Sequence, residues 1–339
     1  MSQRSSNEGP TPDRIRALPK AEVHVHLEGC FEPSQLLELA SAAGTQLPRR
    51  PDRLFEFGGL ADFLDFLDWA CALVTTEEQV SRAAYRFAER EAGVGAGHAD
   101  LIVNPTHWPA WRDRLAAFVG ALDAGLTEAE QDGLSKVSLC VSLLRQQSAE
   151  EAAQLVDALL ELRHPRVVAL SIDGNEVAAG RTGPRFADAF RRAGAAGLRR
   201  TVHAGESSGP EGVRDAVDLL QAERIDHGIR AIEDPALVRE LADRGIPLDV
   251  CPGSNVALGL YRDRSSHPID RLRRAGVPVS VNTDDPAYLR TDLVTEYVET
   301  SRAHGWSDED LRKVASTSIE ASFADDDTKA SLRAALGAW

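Results

Sequence analysis

Residues 21–29 read AEVHVHLEG, so that two histidines stand at the end of a short apolar run. On a β-strand, side chains two positions apart lie on the same side. His24 and His26 can therefore direct two imidazole rings toward one point, as the ligands of a metal ion do. A half-buried strand with two hydrogen-bonded histidines is the alternative, and the rest of the chain must decide between the two.

Short β-rich runs alternate along the chain with longer amphipathic stretches. The predicted strands are Ala21–His26, Asp100–Asn104, Val137–Leu143, Val167–Ile172, Arg200–His203, Arg224–Asp226, Pro247–Val250 and Val277–Val281. The helices predicted between them include Glu78–Ala92, Ala149–Leu162, Pro184–Ala196, Pro210–Gln221, Pro235–Arg244 and Pro268–Ala275. This alternation predicts an α/β fold, a single (β/α)8 TIM barrel. A doubly wound open sheet is the main rival, but no glycine-rich phosphate loop follows the first strand.

We expect residues 18–339 to form this one domain and residues 1–17 to form a flexible N-terminal tail. The interval between the first two strands is too long for one connecting helix. Its stretch Leu60–Leu73 carries Phe63, Phe66, Leu67 and Trp69 at helical spacing. These extra helices are interpreted either as core packing or as an apolar lid over the mouth of the barrel.

Composition restricts the partners of the chain. Its 339 residues carry a formal net charge of −15. This charge argues against nucleic acid or an anionic membrane as a partner, because a protein binds either of them through a basic face. No signal peptide and no run long enough to span a bilayer is recognisable, so we expect a cytoplasmic protein. The widely spaced cysteines Cys30, Cys71, Cys140 and Cys251 indicate reduced, mostly buried thiols. The sequence leaves the oligomeric state open, and a homo-oligomer is one of the possible states.

Unusual polar residues follow the predicted strands, at the edge where a barrel keeps its active site. They lie in the segments His26–Glu28, Asp173–Glu176, His203–Glu206, His227–Gly228, Cys251–Asn255 and Asn282–Pro286. Three neutral imidazoles and one carboxylate form a suitable zinc site. His24, His26, His203 and Asp284 supply that set, and bound zinc lowers the pKa of water from about 15.7 to roughly 7.

Two further residues are candidates for proton transfer. Glu206 lies three residues after His203 and can face the same pocket as a proton donor and acceptor. His227 can orient or deprotonate the water. The alternatives are a carboxylate at a helix start and a packed histidine at a strand end.

Two other deaminase or hydrolase classes fit less well. The pattern His26-Leu27-Glu28 matches half of the cytidine-type deaminase signature, but the required P-C-x-x-C partner is missing. Binuclear barrel hydrolases commonly use a carboxylated lysine after a middle strand, and no lysine stands there. One metal ion is therefore favoured over two.

The motifs together resemble the adenosine/adenine deaminases of the amidohydrolase superfamily. The resemblance runs from Leu18 to Phe323 in the family's order, through the segments Lys20–Gly29, His203–Glu206, Asp226–Gly228, Cys251–Asn255 and Asn282–Pro286. It implies a (β/α)8 barrel, one Zn²⁺ per chain, and hydrolytic release of a purine 6-amino group as ammonia. A non-catalytic purine-binding or signalling relative usually lacks a ligand or the acid, and here none is missing.

The resemblance also implies a role for each site residue. His24, His26, His203 and Asp284 are the implied zinc ligands, Glu206 the acid for the purine ring, and His227 the residue that positions the attacking water. His26 also belongs to the implied substrate site and Asp284 to the catalytic set. Glu28, Gly174 and Asp285 are the implied contacts of the substrate.

The resemblance specifies the reaction more closely than it specifies the substrate. Adenosine is the first expectation, with adenine and aminodeoxyfutalosine as alternatives. Glu28 stands where adenosine deaminases usually carry aspartate, and it is more similar to the adenine deaminase branch, whereas Asn282-Thr283-Asp284 follows the nucleoside branch. His107 and Trp108 fit neither pattern and are interpreted as pocket-lining or structural.

Overall fold

The computed structural model describes residues 9–339, apart from the side chain of Leu60. Eight parallel strands form one sheet in sequence order. They are β1 (Lys20–His26), β2 (Ala96–Val103), β3 (Lys136–Leu144), β4 (Val167–Asp173), β5 (Arg199–Ala204), β6 (Arg224–His227), β7 (Leu248–Val250) and β8 (Val279–Val281). Each predicted strand overlaps one of them, and the predicted (β/α)8 barrel is confirmed.

The barrel closes between β1 and the segment that follows β8. The backbone N–H of His26 donates to the carbonyl oxygen of Asp284 over 2.8 Å, and the N–H of Asp284 donates to the carbonyl oxygen of His24 over 3.1 Å. Because these bonds lie at the carboxyl end of β1, closure of the barrel itself brings Asp284 beside both histidines.

Helices surround the strands. The described residues form α1 (Pro12–Arg16), α2 (Pro33–Ala42), α3 (Leu60–Ala72), α4 (Glu77–Gly93), α5 (Leu115–Gln131), α6 (Ala149–Leu162), α7 (Glu176–Ala179), α8 (Gly183–Ala195), α9 (Pro210–Asp218), α10 (Pro235–Arg244), α11 (Pro252–Ala257), α12 (Ile269–Arg274), α13 (Leu293–His304), α14 (Asp308–Ala321) and α15 (Asp326–Ala338). Short 3-10 helices span Leu27–Gly29, Pro51–Arg53, Pro105–His107, Ile229–Glu233 and Arg264–Ser266.

Helix α6 shows how local sequence sets these bounds. The Ser148 hydroxyl accepts the N–H of Glu151, and the Glu151 carboxylate accepts the N–H of Ser148 over 2.7 Å, which closes a capping box. The helix buries Ala152, Val156 and Leu159 at spacings of three and four residues, the period of one helix face. Its observed bounds are those predicted from the sequence.

The predicted tail covers residues 1–17, of which residues 1–8 lie outside the described part of the chain. For the rest the structure differs from a flexible tail. The Thr11 side chain caps α1, Pro12 occupies the first turn, and Ile15 is fully buried. Because Ile15 and Leu18 join the main hydrophobic core, this short helix packs against the barrel.

Helices α2, α3 and α4 fill the interval between β1 and β2, where extra helices were predicted. Phe63 and Phe66 of α3 are buried, and both rings contact Phe57 and Tyr288 at centroid distances between 5.1 and 6.2 Å. This aromatic cluster fixes α3 over one side of the barrel mouth.

Two composition-based expectations have structural counterparts. All four cysteines carry free thiols, and Cys71, Cys140 and Cys251 are buried. Within residues 9–339, no helix combines the length and the apolar character needed to cross a membrane.

Candidate active site

Side-chain atoms of four residues converge at the carboxyl end of the barrel. Nε2 of His203 lies 3.0 Å from Nε2 of His24 and 3.0 Å from Nε2 of His26. Oδ1 of Asp284 lies 3.3 Å from Nε2 of His24 and 3.4 Å from Nε2 of His26. One ligand atom of each residue lies within 4.8 Å of the others, so the structure brings together the four residues predicted as metal ligands.

Neighbouring groups set the orientation of two of these imidazoles. Nδ1 of His24 lies 2.9 Å from the carbonyl oxygen of Asp249. A carbonyl oxygen only accepts, so Nδ1 carries the proton and Nε2 presents a lone pair to the cluster. Nδ1 of His203 lies 3.1 Å from Oδ2 of Asp226, which directs its Nε2 inward in the same way.

The donor set fits zinc. Imidazole lone pairs that face each other at 3.0 Å repel unless a proton or a cation lies between them. Three neutral imidazoles and a carboxylate are a ligand set that zinc takes in hydrolytic enzymes. The Ser254 hydroxyl donates to Oδ2 of Asp284 over 2.6 Å, so that Oδ1 is the oxygen left for the ion.

Glu206 and His227 face each other beside this cluster. Oε1 of Glu206 lies 3.7 Å from Nε2 of His227, which lies 3.9 Å from Oδ2 of Asp284. Nδ2 of Asn255 lies 3.4 Å from both Nδ1 of His227 and Oε1 of Glu206, while its Oδ1 lies 3.1 Å from Nε2 of His267. Because an amide nitrogen only donates, Nδ1 of His227 accepts and its Nε2 carries the proton.

The protonation states of this pair differ from those of free side chains. Burial raises the pKa of the Glu206 carboxyl to about 8, and the negative charges of Asp284 and Glu176 add to the rise. Burial holds the pKa of His227 well below its usual range. Near neutral pH, the carboxyl is therefore largely protonated and the imidazole neutral, so Glu206 can act as an acid and His227 can donate a hydrogen bond from Nε2.

Two residues of the site adopt the left-handed backbone conformation. His227 has φ 65° and Asp284 has φ 69°, values that cost free energy for a residue with a Cβ. The parallel bridge with Val25 holds the backbone of Asp284 in place, and both side chains are buried.

A cavity of about 80 Å³ opens onto the cluster. It is lined by the predicted residues His26, Glu28, Gly174, His203, Glu206, His227, Asp284 and Asp285. Of the predicted residues, His24 alone lies behind the cavity wall, and it is fully buried. The site residues predicted from the sequence therefore lie around one continuous pocket.

Glu28 forms one wall of this cavity. Its Oε1 accepts hydrogen bonds of 2.7 Å from the backbone N–H of Asn104 and from Nε1 of Trp108. Its Oε2 is buried and has no hydrogen-bond partner among the described residues. Burial raises the pKa of the Glu28 carboxyl to about 7, so one oxygen is anchored and the other is free for a ligand.

Asp285 lines the same cavity, with its backbone and side chain against Gly29. A Cβ built on Gly29 would lie 2.1 Å from Oδ1 of Asp285 and 2.5 Å from its Cα, so only glycine fits at this position. Burial raises the pKa of Asp285 well above its usual range, and the charges of Asp284 and Glu28 add to this. A protonated Asp285 can donate a hydrogen bond from the cavity wall.

Gly174 presents backbone rather than a side chain. It has φ 97°, and a Cβ there would lie 2.9 Å from Cδ1 of Leu144 and 3.0 Å from Oε1 of Gln146. Glycine therefore allows the chain after β4 to pack closely against the end of β3.

Helix α3 covers the cavity, as predicted for a lid. Phe63, Leu64 and Leu67 line it from above. His107 lines it as well, and Nδ1 of His107 lies 2.6 Å from Oδ1 of Asp68 in α3. His107 and Trp108, whose roles the sequence left open, therefore differ in function. His107 connects the lid to the pocket, and Trp108 anchors Glu28.

Several residues that hold the site together had no role predicted from the sequence. Asn255 and Ser254 contact His227 and Asp284, and Glu176 binds the loop that carries Glu206. Ser254 and Asn255 lie in the segment Cys251–Asn255, which was part of the family resemblance, but their contacts with the other site residues were not predicted. Glu176 ends the quoted segment Asp173–Glu176, but its partner loop lies 29 to 32 residues further along the chain.

Comparison with known proteins identifies the family. Residues 19–339 match the model of the adenosine deaminase family. The chain belongs to that family. This deaminase is 37% identical over 322 residues to an adenine deaminase of Rhizobium rhizogenes, covering 94% of the chain and 99% of the relative. It is also 37% identical over 323 residues to an aminodeoxyfutalosine deaminase of Streptomyces coelicolor, covering 93% and 83%.

Solved structures give the same result for the fold. The crystal structure of an adenine deaminase from Arthrobacter aurescens matches this deaminase with a TM-score of 0.89 at 32% identity, covering 95% of this chain and 99% of that one. An amidohydrolase from Burkholderia ambifaria with bound zinc also has a TM-score of 0.89, at 30% identity and with 99% and 94% covered. This deaminase is therefore a hydrolytic aminohydrolase of 6-aminopurines with a candidate zinc site.

Proposed function

We propose that this deaminase converts adenine and water into hypoxanthine and ammonia, with one zinc ion held by His24, His26, His203 and Asp284. The observation that carries the choice of substrate is Glu28, whose Oε2 is buried at the cavity without a partner in the described part of the chain. Adenosine was the first expectation from the sequence, but the adenine deaminase relatives support the free base better.

Free adenine and a nucleoside differ at N9, which carries a hydrogen atom in the base and a ribose carbon in the nucleoside. An N9–H donates to Oε2 of Glu28, and a neighbouring ring nitrogen accepts when this carboxyl is protonated. A nucleoside leaves Oε2 without that donor, and an unpaired buried polar atom costs about 1–3 kcal/mol.

Glu206 is the proposed acid. Its carboxyl, kept protonated by burial, donates its proton to ring nitrogen N1, which makes the adjacent carbon C6 electron-poor. Zinc, when bound, supplies a Lewis acid that lowers the pKa of water and so provides the nucleophile. The water oxygen forms the new bond to C6, and the bond between C6 and the amino nitrogen breaks. Of the two protons of the water, one restores the Glu206 carboxyl and the other leaves on the amino nitrogen as part of ammonia.

His227 and Asp285 complete the proposed site. Neutral His227 donates a hydrogen bond from Nε2 to the attacking water, and the hydrogen bond from Asn255 to Nδ1 keeps the proton on Nε2. Protonated Asp285 donates to N7, and backbone near Gly174 meets the other edge of the base. Phe63, Leu64 and Leu67 of the lid exclude bulk water, which strengthens each of these interactions.

Aminodeoxyfutalosine is the second candidate. The Streptomyces relative that is named for this substrate is as similar to this deaminase, at 37% identity, as the Rhizobium adenine deaminase. The reacting edge of the purine is the same in both substrates, so the proposed roles of Glu206 and His227 do not depend on the choice. The substituent at N9 is the difference that an assay must resolve.

Ammonia release from adenine, adenosine and aminodeoxyfutalosine, with bound zinc quantified in the same preparation, tests this proposal. We expect turnover of adenine in a preparation with one zinc ion per chain. Preferred turnover of either nucleoside contradicts the choice of substrate. No turnover of any of the three at full zinc content contradicts the proposed function as a whole.

A further inference from the structure

The turn that follows β5 is wrapped around one carboxylate. Glu176, at the start of α7, accepts hydrogen bonds from consecutive backbone N–H groups of this turn. Oε1 accepts from Gly205 over 2.8 Å, and Oε2 accepts from Glu206 over 3.1 Å, Ser207 over 3.1 Å and Ser208 over 3.0 Å. The backbone that carries Glu206 is thus held by a side chain from another loop.

Glu176 is suited to hold a turn because it is buried and charged. It is only 4% exposed. Burial opposes the charge, yet Arg145 and the N–H donors outweigh it and lower the pKa of the Glu176 carboxyl. Charge-assisted hydrogen bonds of this kind are stronger than neutral ones, so the carboxylate fixes the turn firmly.

Arg145 holds the preceding end of the same segment. Its guanidinium donates to the carbonyl oxygen of His203, and also to Oγ1 of Thr182 over 3.1 Å. The segment from His203 to Ser208 is therefore bound by a cation at its start and by an anion along its turn. Gly205, with φ 62°, allows the sharp change of direction between the two.

We propose that Glu176 is a positioning residue for Glu206, fixing the turn so that the Glu206 carboxyl faces the purine site. This inference rests on the proposed role of Glu206 as the acid. Glu176 does not line the cavity and acts only through the backbone of the turn and through its charge.

The charge of Glu176 has a consequence for the pH dependence of the reaction. The charged and titratable groups that act on Glu206 are Asp284, Glu176, His24 and Arg145, with His227 beside it. Glu176 favours the protonated form of Glu206, because two carboxylates close together disfavour ionisation of the second. The acid must be protonated to act, so removal of this charge moves the loss of activity at alkaline pH to lower pH.

The main test is Glu176→Gln, which keeps the shape of the side chain but removes its charge and one acceptor. With adenine as substrate and at full zinc content, we expect kcat to fall about 100-fold, with KM little changed. The alkaline limb of the kcat profile should move to lower pH by about one unit. Glu211→Gln is the matched control, since Glu211 is exposed and lies in α9 beside the same turn, and it should behave as wild type.

A second variant covers the case in which Glu176→Gln does not fold. A Cβ on Gly212 would lie 2.7 Å from Oε1 of Glu176, so Gly212→Ala displaces the carboxylate without removing it. We expect a smaller fall in kcat in the same direction, again with zinc retained.

Unchanged kcat and pH profile in the variant that folds would overturn this inference, and so would a loss of zinc that accounts for the whole effect. Failure of the proposed function is distinguishable from both. In that case the wild-type protein releases no ammonia from any 6-aminopurine.

Discussion

Nε1 of Trp108 donates a hydrogen bond of 2.7 Å to Oε1 of Glu28. The backbone N–H of Asn104 donates to the same oxygen at the same distance, so both donors hold one oxygen, and the buried Oε2 has no hydrogen-bond partner among the described residues. A carboxylate fixed in this way recognises a hydrogen-bond donor at one place on the substrate. That place is N9 of the purine in the proposed reaction.

Replacement of Glu28 by aspartate should shift the preference of the enzyme from adenine toward adenosine. The shorter side chain withdraws the free oxygen from N9–H and opens space for a ribose. We expect kcat/KM for adenine to fall about tenfold, the equivalent of one lost hydrogen bond, and the ratio of the two substrates to move toward the nucleoside. An unchanged ratio in paired assays contradicts the proposed role of Glu28.

Replacement of Glu206 by glutamine should abolish most activity and leave zinc bound. The amide occupies the same space but has no acidic proton, and general acid catalysis typically contributes about 10² to 10⁴ in rate. Bound zinc and the thermal midpoint of unfolding, measured beside kcat, serve as controls. A variant that keeps wild-type kcat requires another acid in the site.

Replacement of Gly29 by alanine should displace Asp285 and weaken substrate binding. The new Cβ would lie 2.1 Å from Oδ1 and 2.5 Å from Cα of Asp285, so both the carboxyl and the backbone of Asp285 must move. We expect KM for adenine to rise about tenfold, as for a lost hydrogen bond. Gly120→Ala is the matched control, since no described atom lies within 4 Å of its Cβ and alanine favours the helix by about 0.5–1 kcal/mol. Equal KM values for the two variants contradict the prediction.

Replacement of Asp226 by asparagine should weaken zinc binding rather than the chemical step. Oδ2 of Asp226 lies 3.1 Å from Nδ1 of His203, and loss of such a partner typically costs about 10- to 100-fold in metal affinity. Competition for zinc against a chelator measures the change, with the exposed Asp243→Asn as control. Activity should return toward wild type when zinc is saturating, and wild-type affinity in the variant rules out this role.

Sequence periodicity predicted the strands because each one is short, apolar and bounded by turn residues. β2 begins at Ala96, four residues before the predicted start at Asp100, since Gly97 and His98 give no β-strand signal of their own. Helix α9 ends at Asp218 rather than at Gln221, because Gln221 has φ 53°, which a helix does not accommodate. No helix was predicted at Leu115–Gln131, because the alanines and glycines of α5 weaken its apolar pattern.

The candidate site was predictable where one strand or one motif carries it. His24 and His26 follow from alternation along β1, and the family resemblance implied His203 and Asp284. The contacts of Glu176 with the Glu206 turn, and of Trp108 with Glu28, join loops distant in sequence. No local periodicity specifies such contacts, so they became visible only in the folded chain.

The choice of adenine over adenosine is tested in a competition assay in which the zinc-loaded protein acts on equal concentrations of both, with hypoxanthine and inosine measured together. The ratio of the two products gives the ratio of kcat/KM values. We predict that hypoxanthine forms in excess and that Glu28→Asp lowers this excess. Predominant formation of inosine by the wild-type protein would contradict the account.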